Sequence, residues 1–560
     1  MFSPRPYDVP MSATLAAATT SARDDGVLPA VTAETLRDRL VPAFLGSRWA
    51  GWAGPIGVTV LGFVLRVWGA GSPHDIMFDE IYYVHDAVTM HSDGVELAPN
   101  NGDTSGEYVV HPPLGKWMIS LGFYFFHVHM SAYNPASALS KGKIPPYTYT
   151  GAFAWRFMSV VFGSLAILLL ARTARRMTRS NLLGTIAGLL LALDGLEFVQ
   201  SRMALLDIFL MFWIVAGFAC LVRDRDHARE KLAEAVERGD LPGRRVFSGT
   251  GWRPWLLMTG ICTGGACATK WDGVWFLPAY ALLAVVWEVG ARRTAGGDRP
   301  WRSTLRQAWW RIPAWMGAVP VALYTATWTG WFLAGNKAYE HDDFVRPGQN
   351  TWQHTIAVLH GWIHYHEDAF KFARTLYSPH PWSSRPISWL FMSRPVLYYS
   401  TGPKAGQQGC KSGTCVRQVL GTGTPAIWLP GVIALVVVTW WAVARRDWRA
   451  SAIAVGFATT FLPWLPFAAY IPGTGSRSRT MFFFYELAGL PFVVLAITLC
   501  LGFVLGPPGA ALRRRMLGAG LVGVYVALVV VNFWFLFPIL TGGTLSHSQW
   551  AIRMLFPSWI

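Results

Sequence analysis

Apolar stretches long enough to cross a bilayer alternate with shorter polar connections along most of this chain. A membrane-spanning helix needs about 20 mainly apolar residues. The pattern predicts such segments over roughly 51–70, 151–171, 182–199, 203–222, 254–269, 272–290, 312–333, 425–444, 451–471, 482–505 and 516–538, which makes about eleven spans. Residues 1–47 are polar, hold no apolar run of their own, and predict a disordered cytoplasmic tail ahead of one polytopic domain over 48–560. No signal-peptide core precedes residue 51. Two long polar segments, 71–150 and 334–424, predict large loops. The apolar segment 114–129 is short and carries Lys116. It predicts a juxtamembrane helix within the first loop, not a further span.

Composition agrees with an all-α integral membrane protein. Of 560 residues, 52% are hydrophobic and 14% charged, against about a quarter charged in a soluble domain. The 29 Trp and 33 Phe suit broad membrane interfaces. A net charge of +16 would fit a nucleic-acid partner, but its distribution excludes that reading. The basic residues fall in short runs between apolar segments: Arg172, Arg175, Arg176 and Arg179; Arg292 and Arg293; Arg445, Arg446 and Arg449; Arg513, Arg514 and Arg515. Cytoplasmic loops collect Lys and Arg in this way. Placing the N-terminus inside puts every run in the cytoplasm and the C-terminus outside, with 71–150, 334–424 and 472–481 outside as well. Arg477 and Arg479 then stand on the side where positive charge is avoided, and an anionic lipid phosphate would partner them. The six cysteines are too few for a disulfide scaffold. Cys220, Cys262, Cys267 and Cys500 read as small buried hydrophobes, while Cys410 and Cys415 lie in an outer loop where a disulfide can form.

The adjacent carboxylates Asp79 and Glu80, at the mouth of the first span, are either a solvated loop end or chemistry. Arg66 and Arg156, near the outer ends of the first two spans, bring cations to the same boundary, an expensive place for charge. Lys270 sits between two spans with almost no loop, where it either snorkels to the interface or binds a phosphate. Arg202 and Asp207 predict an intramembrane ion pair. His111-Pro112-Pro113 reads as a rigid turn feeding the 114–129 helix, with His111 available to touch substrate. His364-Tyr365-His366 resembles a metal pair, but alternate spacing on a loop carries little weight, and no metal is predicted. The stretch His380 to Trp389, dense in Pro, Trp and Ser, is an aromatic loop for sugar or peptide recognition or for interface anchoring. Tyr398 and Tyr399 share that ambiguity.

Taken in order, Arg66, Phe78-Asp79-Glu80, His111-Pro112-Pro113-Leu114-Gly115-Lys116, Arg156, Ser201 to Asp207, Thr269-Lys270-Trp271, His380 to Pro386, and Arg479-Thr480-Met481-Phe482 with Tyr485 resemble the protein O-mannosyltransferase family. The resemblance implies the GT-C fold of the multi-span lipid-sugar transferases. It also implies transfer of mannose, with inversion, from a polyprenyl-phosphate carrier to Ser or Thr hydroxyls of exported proteins. Asp79 matches the family's catalytic base, and Glu80 beside it orients the acceptor or pairs with an arginine. A hydroxyl is a poor nucleophile until a positioned carboxylate takes its proton. The phosphate leaving group needs positive charge instead of a second acid, which Arg66, Arg156, Lys270 and Arg479 would supply. His111, Lys116, His380, Arg385 and Tyr485 are the implied substrate-loop residues. No cofactor is implied, since the lipid-linked mannose is a substrate. The implied partners are that donor, exported acceptor proteins, membrane lipids and the Sec export machinery, at the plasma membrane with the site outside. The 334–424 loop, with only about 90 residues and no repeats, lacks the β-rich insertion of eukaryotic members and looks like the smaller bacterial form. One rival keeps the fold and changes the acceptor to a lipid or glycan. The other is a transporter, for which matched internal repeats are expected and none is found.

Overall fold

Where apolar runs are long and free of breakers the chain forms long helices, and where Pro or buried polar groups interrupt them it forms shorter pieces. The computed structural model describes residues 33–42, 44, 49–97, 110–128, 149–239, 252–411, 413–468, 479–507 and 509–560. Among these, seven helices are long and apolar enough to cross a membrane: Ala50–Val67, Thr150–Thr178, Leu206–Glu237, Trp271–Thr294, Pro425–Arg445, Trp448–Ala468 and Leu512–Thr541. The other four predicted spans are shorter or broken. Segment 182–199 divides into Asn181–Ala192 and Gly195–Gln200 at Asp194, whose carboxylate caps the second helix through the Leu196 and Glu197 amides. Pro254–Thr269 has 16 residues. The 312–333 segment continues Pro300–Pro313 through a π-helical turn, Ala314–Ala318, into Val319–Thr327; Pro313 and Pro320 each remove a backbone donor there. Segment 482–505 starts as a 3₁₀ helix, Phe483–Ala488, before Leu490–Leu505.

The 32-residue Leu206–Glu237 helix is about 48 Å long and separates two ends of the molecule. At its far end Arg176 and Arg179 both reach Asp226 (2.9 and 3.0 Å), and Arg253 bridges Asp224 and Glu288, which also holds Arg292. These basic residues therefore gather at one end, as the charge pattern predicts. The expected disordered tail is corrected in part: Ala33–Leu40 is a helix docked at this same end. Arg37 pairs with Glu237 at 2.8 Å, and Leu40 packs with Leu232, Ala233 and Ala291, so the tail's last turns have a surface to bury. Residues 1–32 lie outside the described residues.

The opposite end carries the long loops. The first loop holds two helices, Glu80–Asp93 and the expected juxtamembrane helix, Leu114–Phe126. The second holds a 25-residue helix, Thr351–Thr375, and a small sheet the all-α expectation lacked. Strands β1 (Val396–Thr401), β2 (Cys415–Gly421) and β3 (Thr544–Ser546) pair antiparallel in that order, with Val396 opposite Gly421 and Cys415 opposite Ser546. The aromatic and β-branched run Val396 to Thr401 suits a strand. Cys410 and Cys415, whose pairing the sequence left open, form a disulfide. Because β3 follows the last long helix, the chain's C-terminal segment lies on the loop end, away from the Ala33–Leu40 helix.

Candidate functional site

Asp79 is presented by a backbone that something must hold in place. Phe78, just before it, has φ +51°, a left-handed conformation that costs about 1–3 kcal/mol in a non-glycine residue. Its ring is clasped edge-on by His380 (5.5 Å), Tyr398 (5.4 Å), Phe482 (5.4 Å) and Phe484 (6.0 Å). One side chain thus draws the 380 loop, strand β1 and the 482–485 segment together around Asp79.

The Asp79 carboxylate is half-buried at the start of the Glu80–Asp93 helix and makes no capping bond. Among the described residues it accepts no hydrogen bond. Burial and the charge of Asp207 push its pKa up to about 7, with Lys270 pulling the other way. One helical turn on, buried Tyr83 faces the same space. Burial and the Asp79 charge push its phenol well above the ordinary value, and its ring lies 6.0 Å from His111. Burial and the cations Lys270, Lys116 and Arg479 hold the His111 imidazole well below its usual range, so it is neutral.

Two predicted cations converge on this space. Lys270, just past the C-terminus of Pro254–Thr269 where positive charge is favoured, places Nζ 2.8 Å from Asp207 Oδ1 and 4.4 Å from the Tyr485 ring centre. Arg479 places its guanidinium 5.7 Å from the same ring. Its Nε donates to the Ala373 carbonyl at 2.6 Å, while buried Nη1 has no partner among the described residues. Tyr485 is therefore the shared floor of two cations. A small cavity of about 10 Å³ beside Tyr485 is lined by polar and apolar groups together, among them Asp272, Thr459, Thr460, Phe276 and Trp464.

Other predicted site residues serve the scaffold. Glu80, expected as half of a catalytic pair, is fully buried and saturated. Its Oε1 accepts from Arg156 Nε (2.8 Å) and the Ala204 amide (2.9 Å), and its Oε2 from Arg156 Nη2 (2.7 Å) and the Met77 amide (2.9 Å). Arg156 spends its remaining donors on the carbonyls of Ala70, Pro73 and Asp75, so none is left for a phosphate. Arg66 is likewise fully buried, bound to Glu197 and to the Gly62 and Ala192 carbonyls. Lys116 is buried against Glu96 (2.7 Å) and Asp86 (3.6 Å), with a bond to the His111 carbonyl. The Arg202–Asp207 pair does not form. Arg202 donates to the carbonyls of Trp68 and Gly69, and Asp207 pairs with Lys270. His364 and His366 diverge, His366 turning inward to Tyr324 and Trp362. His380 is at the site through Phe78, whereas Arg385 is exposed. Sequence reasoning missed Phe78 as organiser, Tyr83, and Gln200, whose Nε2 donates to Tyr398 at 2.5 Å. Only Tyr83 had a local signal, its helical spacing from Asp79.

The comparisons with known proteins agree along most of the chain. A family profile described as dolichyl-phosphate-mannose-protein mannosyltransferase matches residues 56–334, and one described as the C-terminal four TMM region of protein-O-mannosyltransferase matches 358–559. The chain is 36% identical over 520 residues to the polyprenol-phosphate-mannose–protein mannosyltransferase of Mycolicibacterium smegmatis, covering 91% of this chain and 93% of that one. Against the protein of the same name from Mycobacterium tuberculosis it is 36% identical, covering 91% and 92%; against that from Corynebacterium glutamicum it is 32% identical, covering 88% and 89%. Among solved structures, a chain of the S. cerevisiae protein O-mannosyltransferase Pmt1-Pmt2 complex bound to the sugar donor superposes with TM-score 0.69 at 14% identity, over 95% of this chain and 94% of that one. The shared fold is of the GT-C type.

Proposed function

The chain belongs to the protein O-mannosyltransferase family, and from that premise we propose that it transfers mannose from a polyprenyl-phosphate carrier to Ser or Thr hydroxyls of proteins. The observation that carries the mechanism is the contrast between neighbouring carboxylates: Glu80 is saturated by the protein, while the Asp79 carboxylate has no hydrogen-bond partner among the described residues and feels the charge of Lys270. Asp79 accepts the proton of the acceptor hydroxyl as its oxygen attacks the anomeric carbon. The carrier phosphate departs from the opposite face, so the sugar is inverted. Lys270 and Arg479, over Tyr485, receive the charge that develops on that phosphate.

The segregation of arginine runs at the far end supports a site on the outer face of the plasma membrane, where it would meet chains exported by the Sec machinery. The polar groups also collect at one end of the bundle, unlike the mid-membrane site of a transporter. No cofactor enters the mechanism.

The test is transfer by the purified protein from radiolabelled polyprenyl-phosphate mannose to a synthetic Ser/Thr peptide, with a lipid acceptor in a parallel arm. Label in the peptide supports the reading, and label only in the lipid overturns it. The protonation state of Asp79 sets the pH dependence. Its raised pKa leaves it protonated, and unable to act as base, below about 7. Transfer under subsaturating acceptor should rise about tenfold per pH unit up to near 7 and then level off; a flat profile between pH 5 and 8 would remove the base assignment. Arg479→Gln should raise the donor KM about 10- to 100-fold, the loss of a charge-assisted hydrogen bond worth about 1.5–3 kcal/mol, with acceptor KM little changed. Equal effects on both substrates would count against a phosphate role.

A further inference from the structure

Away from the reaction site, the Thr351–Thr375 helix and the loop before it bring three metal-ligating side chains together. One donor atom each from Glu340, His364 and Asp368 lies within 4.8 Å of the others. His364 and Asp368 are four residues apart and so share a helix face. Glu340 comes from the preceding loop, its carboxylate mostly buried, with Oε2 2.9 Å from His364 Nδ1. The approach depends on Gly361, one turn before His364, because a Cβ there would collide with the Glu340 carbonyl. Negative charge around the cluster is in excess. Glu367 and Asp368 act on His364 together with Glu340, and Asp343 joins Glu340 and Asp368 near Tyr339. Among the described residues, His364 is the only basic group paired with any of these carboxylates.

We infer that Glu340, His364 and Asp368 bind one divalent transition-metal ion of the Zn²⁺ class. The imidazole nitrogen selects against Mg²⁺ and Ca²⁺, which prefer all-oxygen shells. One His and two carboxylates with a water complete the four positions Zn²⁺ takes, and bonds of about 2.0–2.2 Å require only that flexible carboxylate ends close in. The metal takes the place of the proton shared between His364 and Glu340, clamping the 340 loop to the helix. That helix is the one whose Ala373 carbonyl orients Arg479. Any effect on transfer rests on the role proposed above for Arg479, whereas metal binding itself does not.

The full-length protein, purified in detergent without a polyhistidine tag and stripped with chelator, is titrated with Co²⁺ and then Zn²⁺. The expected result is one equivalent of Co²⁺ giving visible ligand-field bands, displaced by one equivalent of Zn²⁺. In His364→Gln and Asp368→Asn the affinity falls at least about tenfold. Absence of a saturable band in the unsubstituted protein, or equal affinity in His364→Gln, overturns the site. A second measurement needs no variant: Zn²⁺ should protect His364, 43% exposed, from acylation by diethyl pyrocarbonate as read by mass spectrometry. Full modification at saturating Zn²⁺ overturns the proposal in the same way. Because binding is read directly, failure of the mannosyl-transfer reading would leave this result standing, and the reverse.

Discussion

Asp79→Asn should lower turnover by about 10²- to 10⁴-fold, the range a positioned general base contributes, while leaving donor binding within a few-fold of the parent. The substitution is nearly isosteric and removes no hydrogen bond, since the Asp79 carboxylate makes no cap and has no partner among the described residues. It also removes a charge that burial disfavours, the first cause of the raised pKa, so thermal stability should be equal or slightly higher. That combination separates a base from a structural anchor. A structural carboxylate would lose melting temperature and activity together, whereas a base loses only activity. Turnover within tenfold of the parent, at a pH above 7, would show that another group takes the proton. Asp207 is the nearest rival by charge, but its Oδ1 is held by Lys270 at 2.8 Å. The residual activity of the Asn variant should also lose the pH-dependent rise, because the group that titrates near 7 is gone.

How much of this site the chain disclosed depends on the range of the forces involved. Hydropathy is local and additive, so seven of the predicted spans appear as helical segments long enough to cross a membrane, two of them with a 3₁₀ stretch, and a short helix forms over 114–126. The breaks were less legible. Asp194 divides the 182–199 segment because its carboxylate is satisfied by the Thr424 amide and the Trp428 indole, more than two hundred residues away. No window of neighbouring residues carries that information. The sheet was missed for the same reason, since β3 arrives from beyond the last long helix to meet a strand in the second loop. Among charged residues the sequence located Asp79, Lys270 and Arg479 at one boundary but could not say which cation faced inward. Arg66 and Arg156 look like phosphate ligands by position alone. Their partners, Glu197 and Glu80, become visible only once the Asn181–Ala192 helix and the first loop are packed, and pairing is what decides whether a buried arginine is structure or chemistry.

That distinction can be measured at Arg156. If Arg156 bound the donor phosphate, Arg156→Ala would raise the donor KM and leave the melting temperature unchanged. The geometry predicts the opposite order of effects. All five guanidinium donors are taken, two by Glu80 and three by the carbonyls of Ala70, Pro73 and Asp75, and both partners are fully buried. Truncation would strand the Glu80 charge and three carbonyls in a low-dielectric interior, at a cost of about 3–5 kcal/mol. The expected result is a large fall in melting temperature in detergent and in folded yield. Arg156→Lys should recover only part of it, because an ammonium offers three donors and cannot form the two parallel bonds to Glu80. Glu80→Gln should cost less than Arg156→Ala, since the amide oxygen can still accept from one of the Met77 and Ala204 amides while the arginine keeps its three carbonyls. The loss should be transmitted to catalysis only through Asp79: Glu80 is the next residue, and its bonds to the Met77 and Ala204 amides fix the turn that presents the base. In any fraction of Glu80→Gln that folds, turnover should therefore fall before donor KM rises. A stable Arg156→Ala protein with weakened donor saturation would instead return this arginine to the phosphate.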